Sequence, residues 1–472
     1  MDTDSRMFSL PPIDFAHNST RKFHVLIAVV LISAFGPYLV SSFRVEHFVI
    51  YPLAAAAVLL RWRTIIDRAL GSGLTLFGSW FLLLLLGVIG MQALPATAPR
   101  WEYGSFPAGV DTVLLPFLVV LIMVGFAPRP TTAASLWFAC RIIAVLGVLN
   151  GMLSVITMLI PDLTVLLRPF WGAEGTDDTV ADAAMEMGRF SGVFNQPAEA
   201  GLFYSLAALS AIAVYAGAPL KLWPTLLVIT VGGMLTVSKV FLFVGLPIAL
   251  IYLFMQGSLI ERLSRIAVVT VLAVGIFSAP FIQTWSGLEY LLRFADAGEQ
   301  SVLELFTAGR WNEGSTLLGV FEYIYHASPL VGVGFRGLAV PYDSAWAEIV
   351  VFTGFLGVGL LIVGYLSLLV YSFLLKNAAA RAYGLVLSVV LIGASFGISS
   401  LTLNRVSVLA WVVIGVIICL PKGETEQEPE TRKVAPGTLR SGGSGDTEVA
   451  ALPAPGRRSA GPEDEDAGHH RV

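Results

Sequence analysis

About a dozen apolar stretches, most of them close to the length of a membrane span, follow one another through the first 420 residues of this chain. Lipid offers no partner to an unpaired backbone N–H or C=O group, so only helices and closed barrels cross a bilayer. These stretches are too long and continuous for barrel strands. Since a span needs roughly 20 apolar residues, the sequence predicts an all-α integral membrane protein, a polytopic bundle of about 12 (10 to 12) transmembrane helices.

Composition supports the same fold class. The chain has 472 residues, of which 56% are hydrophobic and only 13% charged, and its mean hydropathy of +0.77 is far too high for a soluble domain. The formal net charge of -4 gives no sign of a nucleic-acid partner. The predicted spans are residues 23–41, 46–60, 73–94, 109–127, 132–160, 196–216, 222–237, 240–256, 266–284, 346–374, 382–400 and 405–420.

Lysine and arginine in the short loops predict the orientation of the bundle. With twelve spans, one set of cations falls on a single side, the expected cytoplasmic side: Arg21, Lys22, Arg61, Arg63, Arg68, Arg262, Arg265, Lys376 and Arg381. Residues 1–22 are then a cytoplasmic N-terminus rather than a cleavable signal, and 23–420 the transmembrane domain. Residues 421–472 are rich in Glu, Pro, Gly and Ser, which predicts a disordered cytoplasmic tail.

The opposite, outer side also carries many cations, which indicates that something anionic is bound there. They are Arg44, Arg100, Arg168, Arg189, Lys239, Arg293, Arg310, Arg336 and Arg405. Two long outer loops, 161–195 and 285–345, hold several of them. A charge beside an apolar run is costly and is usually kept for a function.

Two patches of these outer residues lie beside predicted spans. Residues 188–201, GRFSGVFNQPAEAG, lead into the sixth span and bring Arg189, Asn195, Gln196 and Glu199 to the outer boundary. The patch is either an interfacial anchor with a helix cap or part of a binding site. Lys239, in Thr236-Val-Ser-Lys, either snorkels at a helix end or faces inward and neutralises a phosphate.

A third patch, Gly309-Arg-Trp-Asn-Glu313, opens a predicted amphipathic helix in the second outer loop. The Arg310 guanidinium either forms a two-pronged contact with phosphate oxygens or an ordinary salt bridge with Glu313 or Glu322. The following apolar residues recur at a helical spacing that places them on one face, against the membrane surface or the bundle: Leu317, Phe321, Ile324 and Tyr325.

The fourth patch combines glycines with carboxylates. Pro329-Leu-Val-Gly-Val-Gly-Phe335, just before Arg336, predicts a tight turn whose backbone approaches a ligand. Asp343 and Glu348 follow at the outer start of the tenth span. Asp343 is either an N-cap or a functional carboxylate, whereas Glu348 enters the apolar stretch. Five residues apart on a helix, the two are displaced by roughly 140° and need not share a face.

In this order the four patches resemble the O-antigen polymerase and O-antigen ligase superfamily of multi-pass bacterial membrane proteins. The resemblance covers roughly residues 180–400 and rests on GRFSGVFNQPAEAG, TVSKV, GRW and SPLVGVGF…DSAWAEIVVFTGFLGV. Such proteins join a saccharide from a polyprenyl-pyrophosphate carrier to an acceptor outside the cytoplasmic membrane. The resemblance implies a fold similar to that of membrane glycosyltransferases with lipid-linked donors, and residues 23–420 as the catalytic domain.

Three positions depart from the usual family pattern. Lys239 stands where many relatives have arginine, which keeps the charge and loses the fork. Gln196-Pro197 replaces the more usual Pro-Asn. Asp343-Ser344 occupies the place where ligases typically have a His-Asn pair, which favours the polymerases.

The resemblance implies a polysaccharide polymerase of the O-antigen or exopolysaccharide type in the cytoplasmic (inner) membrane, with both termini cytoplasmic. Its pyrophosphate would meet Arg189, Lys239, Arg310 and Arg336, and Arg310, Asp343 and Glu348 would be catalytic. Asp343 or Glu348 would orient or deprotonate the acceptor hydroxyl. The expected contacts to the sugar or its loop are Asn195, Gln196, Trp311, Tyr342 and Trp346, and Trp285 could stack on a sugar ring.

Neither a cofactor nor a metal is expected. Asp2-Thr3-Asp4 has the spacing of a sugar-nucleotide metal site but falls in the cytoplasmic terminus, and the outer side has no such motif. Expected partners are the lipid-linked donor, a saccharide acceptor, the lipid bilayer, and a flippase and chain-length regulator. Two alternatives remain open: a ligase that makes a single transfer, and a transporter or flippase that uses the same arginines without chemistry.

Overall fold

The structure is a computed structural model, and it describes residues 18–40, 43–70, 74–93, 101–171, 180–278, 280, 285–287, 289, 314–340 and 342–422. Arg310 and Trp311 lie outside these residues, as do the predicted tail after 422 and the Asp2-Thr3-Asp4 motif.

The described residues are mostly helical. The first half of the chain forms α1 (Asn18–Ser33), the antiparallel hairpin β1 (Tyr38–Val40) and β2 (Phe43–Arg44), α2 (Val45–Arg68), α3 (Leu74–Gly90), α4 (Phe106–Phe126), α5 (Ala133–Leu159), α6 (Asp162–Trp171) and α7 (Val180–Glu186). The second half forms α8 (Pro197–Tyr215), α9 (Pro219–Leu235), a π-helical segment (Val240–Gly245) continuing into α10 (Leu246–Met255), α11 (Leu259–Ser278), α12 (Thr316–Ala327), α13 (Ala345–Phe373), α14 (Ala378–Ala394) and α15 (Asn404–Cys419).

Every predicted span overlaps a helix in the described residues, so the mostly helical fold class is confirmed. Within the described residues, five helices, α2, α4, α5, α8 and α13, are long and apolar enough to cross a membrane. The exposed apolar side chains of α2, α5 and α13 match a bilayer as the surrounding medium. Helices α8 and α9 each begin at a proline, Pro197 and Pro219, whose fixed φ suits the first helical position.

Three predicted boundaries are wrong. The first span was expected to reach residue 41, but α1 ends at Ser33 because Gly36-Pro37 interrupts it, and the chain turns into the β1–β2 hairpin. The second span was expected to be short, whereas α2 runs to Arg68. Helix α11 begins at Leu259 rather than 266. Arginine is a good helix former, so cations near the ends of α2 and α11 extend them instead of ending them.

Arginines that were counted as loop charges close helix ends at one end of the bundle. Arg68 donates to the carbonyl oxygens of Val124 and Ala127, at 2.6 and 2.9 Å, where α4 ends. Arg265 donates to the carbonyl oxygens of Leu253 and Gln256, where α10 ends. A guanidinium at a helix C-terminus pairs with carbonyl groups that have no helical partner. We call this the Arg68 end of the bundle.

At the opposite end, the Arg44 end, the C-terminus of α1, the hairpin and the N-termini of α2 and α4 meet. Arg44 at the start of α2 and Asp111 early in α4 lie 3.8 Å apart. Close packing along the bundle relies on small residues, as at Gly147, where an added Cβ would lie 2.6 Å from Cβ of Ala207. The core includes an edge-to-face pair of Trp80 and Trp411 with ring centroids 4.6 Å apart.

Helix α13 is not one straight rod, as the tenth predicted span implied. Gly354 has φ 63° and ψ -164°, a conformation essentially restricted to glycine, and it breaks the helix after its first nine residues. The break is sealed by the preceding loop, because the N–H of Val333 donates to the carbonyl of Val351 and the N–H of Phe355 to that of Pro329. The first part, Ala345 to Thr353, is therefore a short half-helix.

The loop around Gly332 and Gly334 packs its backbone closely against helices, and its expected approach to a ligand stays a prediction. A Cβ on Gly109 of α4 would lie 1.9 Å from the carbonyl oxygen of Phe335, and one on Gly90 of α3 would lie 2.5 Å from that of Val331. Glycines on both partners allow this backbone approach. The loop is thereby wedged among α3, α4 and α13.

The predicted amphipathic helix exists as α12, but its buried face differs from the expected one. Ser315 caps it by accepting from the N–H of Leu318. Leu317, Val320 and Ile324 are buried, whereas Tyr325 is exposed. The chosen apolar set spanned too wide an arc of the helix, because Ile324 and Tyr325 are adjacent and point about 100° apart.

Candidate functional site

The loop between α14 and α15, residues 395–403, lies at the Arg44 end and contacts the fourth predicted patch and the residue that follows the Lys239 patch. At the α13 half-helix, the N-cap Ser344 donates through its hydroxyl to the carbonyl of Ser395, 3.0 Å away. The N–H of Ala345 donates to the same carbonyl, at 2.9 Å. Further along, the hydroxyl of Thr402 donates to the buried carboxylate of Glu348. The half-helix is thus held at two points by this loop.

The Lys239 patch reaches the same loop through its neighbour. Lys239 is half-buried and immediately precedes the π-helical segment, and a Cβ on Gly397 would lie 3.2 Å from a methyl of Val240. Arg189 binds the preceding turn: its Nε donates to the carbonyl of Thr236 at 3.1 Å, and its Nη2 to that of Val237 at 3.4 Å. Two of the predicted phosphate-binding cations therefore belong to one structural unit.

Backbone strain marks two of the predicted patches. Val237 has φ 46° and Asp343 has φ 42°. A β-branched residue in the left-handed region is a genuine outlier, and such positions cost about 1–3 kcal/mol and cluster at functional sites. Asp343 is not the N-cap of α13, which is Ser344. One of the two alternatives for Asp343 is thereby removed.

The 188–201 patch is tied to the start of α15. Nη1 of Arg405 donates to the carbonyl of Val193 at 2.8 Å, and the backbone N–H of Arg405 bonds the carboxylate of Glu199. Asn150 of α5 accepts from the N–H of Val193 at 3.0 Å. A carboxylate at a helix N-terminus is favoured by the helix dipole. The segment is therefore fixed from both sides by buried polar groups.

Arg405 and Glu199 belong to a buried cluster of four charged side chains: Arg44, Glu46, Glu199 and Arg405. Arg44 Nη2 and Glu46 Oε1 form an ion pair 2.8 Å apart without hydrogen-bond alignment. The charge of Arg405 acts on both carboxylates, most strongly on Glu199. Glu46 is 0% exposed, Arg405 3% and Glu199 5%. Four ionisable side chains this deep in a membrane bundle are a functional signal.

Four polar atoms of this cluster have no hydrogen-bond partner among the described residues: Glu46 Oε1, Glu46 Oε2, Glu199 Oε1 and Arg405 Nη2. Buried polar groups are nearly always paired, so atoms of this kind indicate a site for a small polar group that both donates and accepts. The summed formal charge of the cluster is zero, which gives it no preference for an anion.

His47, Asp111 and Tyr51 form an adjoining network that is structural. His47 Nδ1 accepts from the N–H of Arg44 at 3.1 Å, so its Nε2 carries the proton and donates to Asp111 at 3.1 Å. Tyr51 donates to the other oxygen of Asp111 at 2.6 Å. Both imidazole nitrogens are occupied, which leaves this histidine no lone pair for use as a base.

Two of the aromatic residues expected to contact sugar are used inside the protein, as is Trp285. The Tyr342 hydroxyl donates to the carbonyl of Leu338 and accepts from its N–H, and burial raises the pKa of Tyr342 above its ordinary value. Trp346 packs against Tyr365, with ring centroids 6.0 Å apart. Trp285 is buried and donates to the carbonyl of Gly188 at 2.5 Å. The polar tips of Tyr342 and Trp285 are thus occupied within the protein, whereas the indole N–H of Trp346 has no hydrogen-bond partner among the described residues.

The remaining predicted residues are more dispersed. Arg336 is exposed and lies 5.8 Å from the centroid of the Tyr103 ring, in the loop before α4. Asn195 donates to the Tyr38 hydroxyl at 3.4 Å. Gln196 is the N-cap of α8 without a capping side-chain bond and is exposed. Among the described residues, Glu348 contacts the 395–403 loop, and Lys239 adjoins a residue that contacts it. Arg189 binds the turn before Lys239, whereas Arg336 lies elsewhere, beside Tyr103.

The residues that the sequence interpretation missed are those of the 395–403 loop and the buried charge cluster. A signal existed for the loop: Ser395, Ser399, Ser400 and Thr402 interrupt an otherwise apolar stretch with hydroxyl groups. Arg44 and Arg405 stood out only as outer cations. Nothing in the spacing links Glu46 to Glu199, because they lie 153 residues apart and come close enough to interact electrostatically only in the folded bundle.

No protein-family profile matches this chain, and no curated protein sequence matches it. The function is therefore argued from the convergence of its own residues at the Arg44 end.

Proposed function

We propose that this protein is a membrane glycosyltransferase that polymerises saccharide units carried on a polyprenyl pyrophosphate. The observation that carries the proposal is the convergence of the Arg189–Lys239 unit and Glu348 on the 395–403 loop. Cations for a diphosphate and a carboxylate for a proton are the two components that such a transfer requires. The family resemblance of the patches supports the same class.

The donor diphosphate binds beside Lys239, with Arg310 supplying further charge from the outer loop. Arg189 contributes chiefly by holding the Thr236–Val237 turn from which Lys239 projects, since its guanidinium is engaged there. Fixed cations accelerate the reaction because charge grows on the departing diphosphate in the transition state.

In the transfer step, an acceptor hydroxyl oxygen bonds to the anomeric carbon of the donor sugar. The bond from that carbon to the phosphate oxygen breaks, and the diphosphate departs with the electron pair. The hydroxyl proton passes to the Glu348 carboxylate, which the Thr402 hydroxyl orients. Asp343, at a strained position five residues earlier, steers the acceptor. Direct displacement inverts the anomeric centre.

The proposal includes a topology. All twelve predicted spans cross the cytoplasmic membrane, both termini are cytoplasmic, and the Arg44 end faces outward. The arginine-capped Arg68 end then faces the cytoplasm, in keeping with the lysines and arginines of the short loops there.

The test is to replace Arg310 with Ala and Asp343 with Asn in cells that make the polymer. Both substitutions should abolish polymer while lipid-linked repeat units accumulate on the outer face. Arg129→Ala is the matched control, because this exposed cation at the Arg68 end pairs only loosely with Asp67, at 3.9 Å. Normal polymer in both variants, or loss of polymer in the control alone, would contradict the proposal.

Product length separates the polymerase from the ligase alternative. A polymerase gives a ladder of repeats, whereas a ligase gives a single transfer to a lipid or other acceptor.

A transporter or flippase of a lipid-linked saccharide is the second candidate. Two observations favour it: the interruption of α13 at Gly354, and the buried charges of Arg44, Glu46, Glu199 and Arg405. Broken helices and intramembrane ionisable groups are frequent in transporters. Accumulation of repeat units on the cytoplasmic side in the Arg310→Ala variant would favour transport over transfer.

A further inference from the structure

An apolar cavity of about 260 Å³ lies between α8, α9, α10 and α11. Its walls are aliphatic and aromatic apart from Thr230, and they include Trp223, Met234, Leu242, Ala249, Ala273 and Ile276. A cavity of this kind is expected to exclude water and to accept hydrocarbon.

The cavity is elongated along the helices. On α9 its lining extends from Trp223 to Met234, eleven positions further on, which is about 16 Å of helix. An apolar cavity of about 150 Å³ accommodates benzene, so by scaling this one accommodates a segment of about ten carbon atoms. Such a volume spread over that length suits one hydrocarbon chain and is too small for two side by side.

One end of the cavity reaches the turn that carries Lys239. Met234 and Leu242 flank that turn on either side, and both line the cavity. Ile276, another lining residue, packs against the buried group of Leu235, Val237 and Trp285. Val237, a member of that group, accepts one of the Arg189 hydrogen bonds to the turn through its carbonyl oxygen. A molecule with its chain in the cavity would therefore bring its polar end to a cationic turn.

We propose that this cavity binds the hydrocarbon chain of a single-chain prenyl phosphate, with the phosphate beside Lys239. The identity of the lipid rests on the proposed function, but the site itself does not. The charge at the turn selects an anionic head group, and the narrow volume selects one chain over the paired acyl chains of a phospholipid. The carrier would thus be anchored by its first isoprene units next to the reacting diphosphate.

The test measures binding of three lipids to the purified full chain in detergent by native mass spectrometry. The probes are a polyprenyl monophosphate of eleven isoprene units, the corresponding polyprenol, and a phosphatidylglycerol. Two variants fill the cavity from two different helices, Ala249→Phe on α10 and Ala273→Phe on α11. Ile251→Phe is the matched control, because this residue lies two positions after Ala249 on α10 and is 58% exposed on the surface of the protein.

We expect the polyprenyl monophosphate to bind at least tenfold more weakly to both cavity-filling variants, and within twofold of wild type to the control. Lys239→Met should weaken the monophosphate and leave the polyprenol unchanged. Wild-type affinity in both Ala249→Phe and Ala273→Phe would overturn the proposal. Phosphatidylglycerol binding that equals the prenyl phosphate and falls equally in these variants would also overturn it.

If a cavity-filling variant fails to fold, a photoreactive residue introduced at position 250 in place of Leu250 still tests whether the cavity binds the prenyl phosphate. Leu250 lines the cavity beside Ile251, which does not. Crosslinking of the prenyl phosphate from position 250 should persist in excess phosphatidylglycerol, and crosslinking from 251 should be competed away. Equal competition at both positions would contradict the site. If binding holds but the protein makes no polymer, the cavity assignment stands and the transferase proposal fails.

Discussion

The hydroxyl of Thr402 donates a hydrogen bond to the carboxylate of Glu348, and both side chains are buried. The two residues lie 54 positions apart, on the 395–403 loop and in the half-helix of α13. A carboxylate at this depth needs such a donor, because an unpaired buried charge is costly. The bond therefore both holds the half-helix and fixes the direction in which the carboxylate is available.

Thr402→Val should remove the hydrogen bond to the Glu348 carboxylate with little change in side-chain volume. The loss of a hydrogen bond to a buried acceptor is expected to lower the free energy of unfolding by roughly 1–3 kcal/mol. Misorientation of the base should lower the rate of polymer formation about tenfold or more. Thr353→Val is the control, since that hydroxyl bonds only the Ile349 carbonyl of its own helix. Equal rates in the two variants would remove Thr402 from the mechanism.

Gly354→Ala should disrupt the break in α13. An added Cβ would lie 2.4 Å from the carbonyl group of Leu330, and the backbone conformation there is essentially confined to glycine. We expect a loss of about 3 kcal/mol or more in the free energy of unfolding, seen as a lower thermal midpoint in detergent.

Gly359→Ala is the matched control on the same helix, since a Cβ at this position meets no other atom within 4 Å. Its effect should stay within about 1 kcal/mol. A Gly354→Ala variant as stable as this control would show that the helix does not require the break.

Arg405→Met should lower the free energy of unfolding, because it removes one of the two cations of the buried charge cluster. Removing one member of a buried ion pair typically costs about 3–5 kcal/mol, because the partner charge stays behind. In combination with Glu199→Gln, the loss should be smaller than the sum of the single losses by about 0.5–3 kcal/mol. Arg129→Met, at an exposed pair, should change stability by at most about 1 kcal/mol. Strict additivity would mean that Arg405 and Glu199 do not interact.

Asp343→Asn separates the backbone role of this residue from its charge. Asparagine tolerates the left-handed φ of 42° as well as aspartate does, so thermal stability should stay within about 1 kcal/mol of wild type. If the carboxylate steers the acceptor, polymer formation should still fall sharply. Retention of both stability and activity would assign Asp343 a purely conformational role.

The apolar runs predicted the positions of the helices well, because a membrane span demands a length and composition that few other structures share. Boundaries failed where charged residues extend helices, as in α2 and α11, and where Gly36-Pro37 turns the chain early. Hydropathy measures the cost of exposure to lipid and carries no information about helix ends that lie in water or protein.

The candidate site was predictable only in part. Patches that are contiguous in sequence, such as residues 188–201 and 236–239, were identified because their charges interrupt apolar runs. The 395–403 loop was missed, since serine and threonine carry no charge and Ser395 and Thr402 gain meaning only from Ser344 and Glu348. Likewise, Tyr342 and Trp346 were assigned to sugar by residue type, whereas packing gives them partners within the protein.

The central claim is that the charge of Lys239 stabilises the departing diphosphate. It is tested most directly by the rate of polymer formation in liposomes that contain the purified protein and a lipid-linked repeat unit. Loss of one such electrostatic contact typically costs a factor of about 100–1,000, so Lys239→Met should lose at least about 100-fold in rate, while Lys239→Arg keeps most of it. Polymer formation at the wild-type rate by the folded Lys239→Met variant would contradict the account.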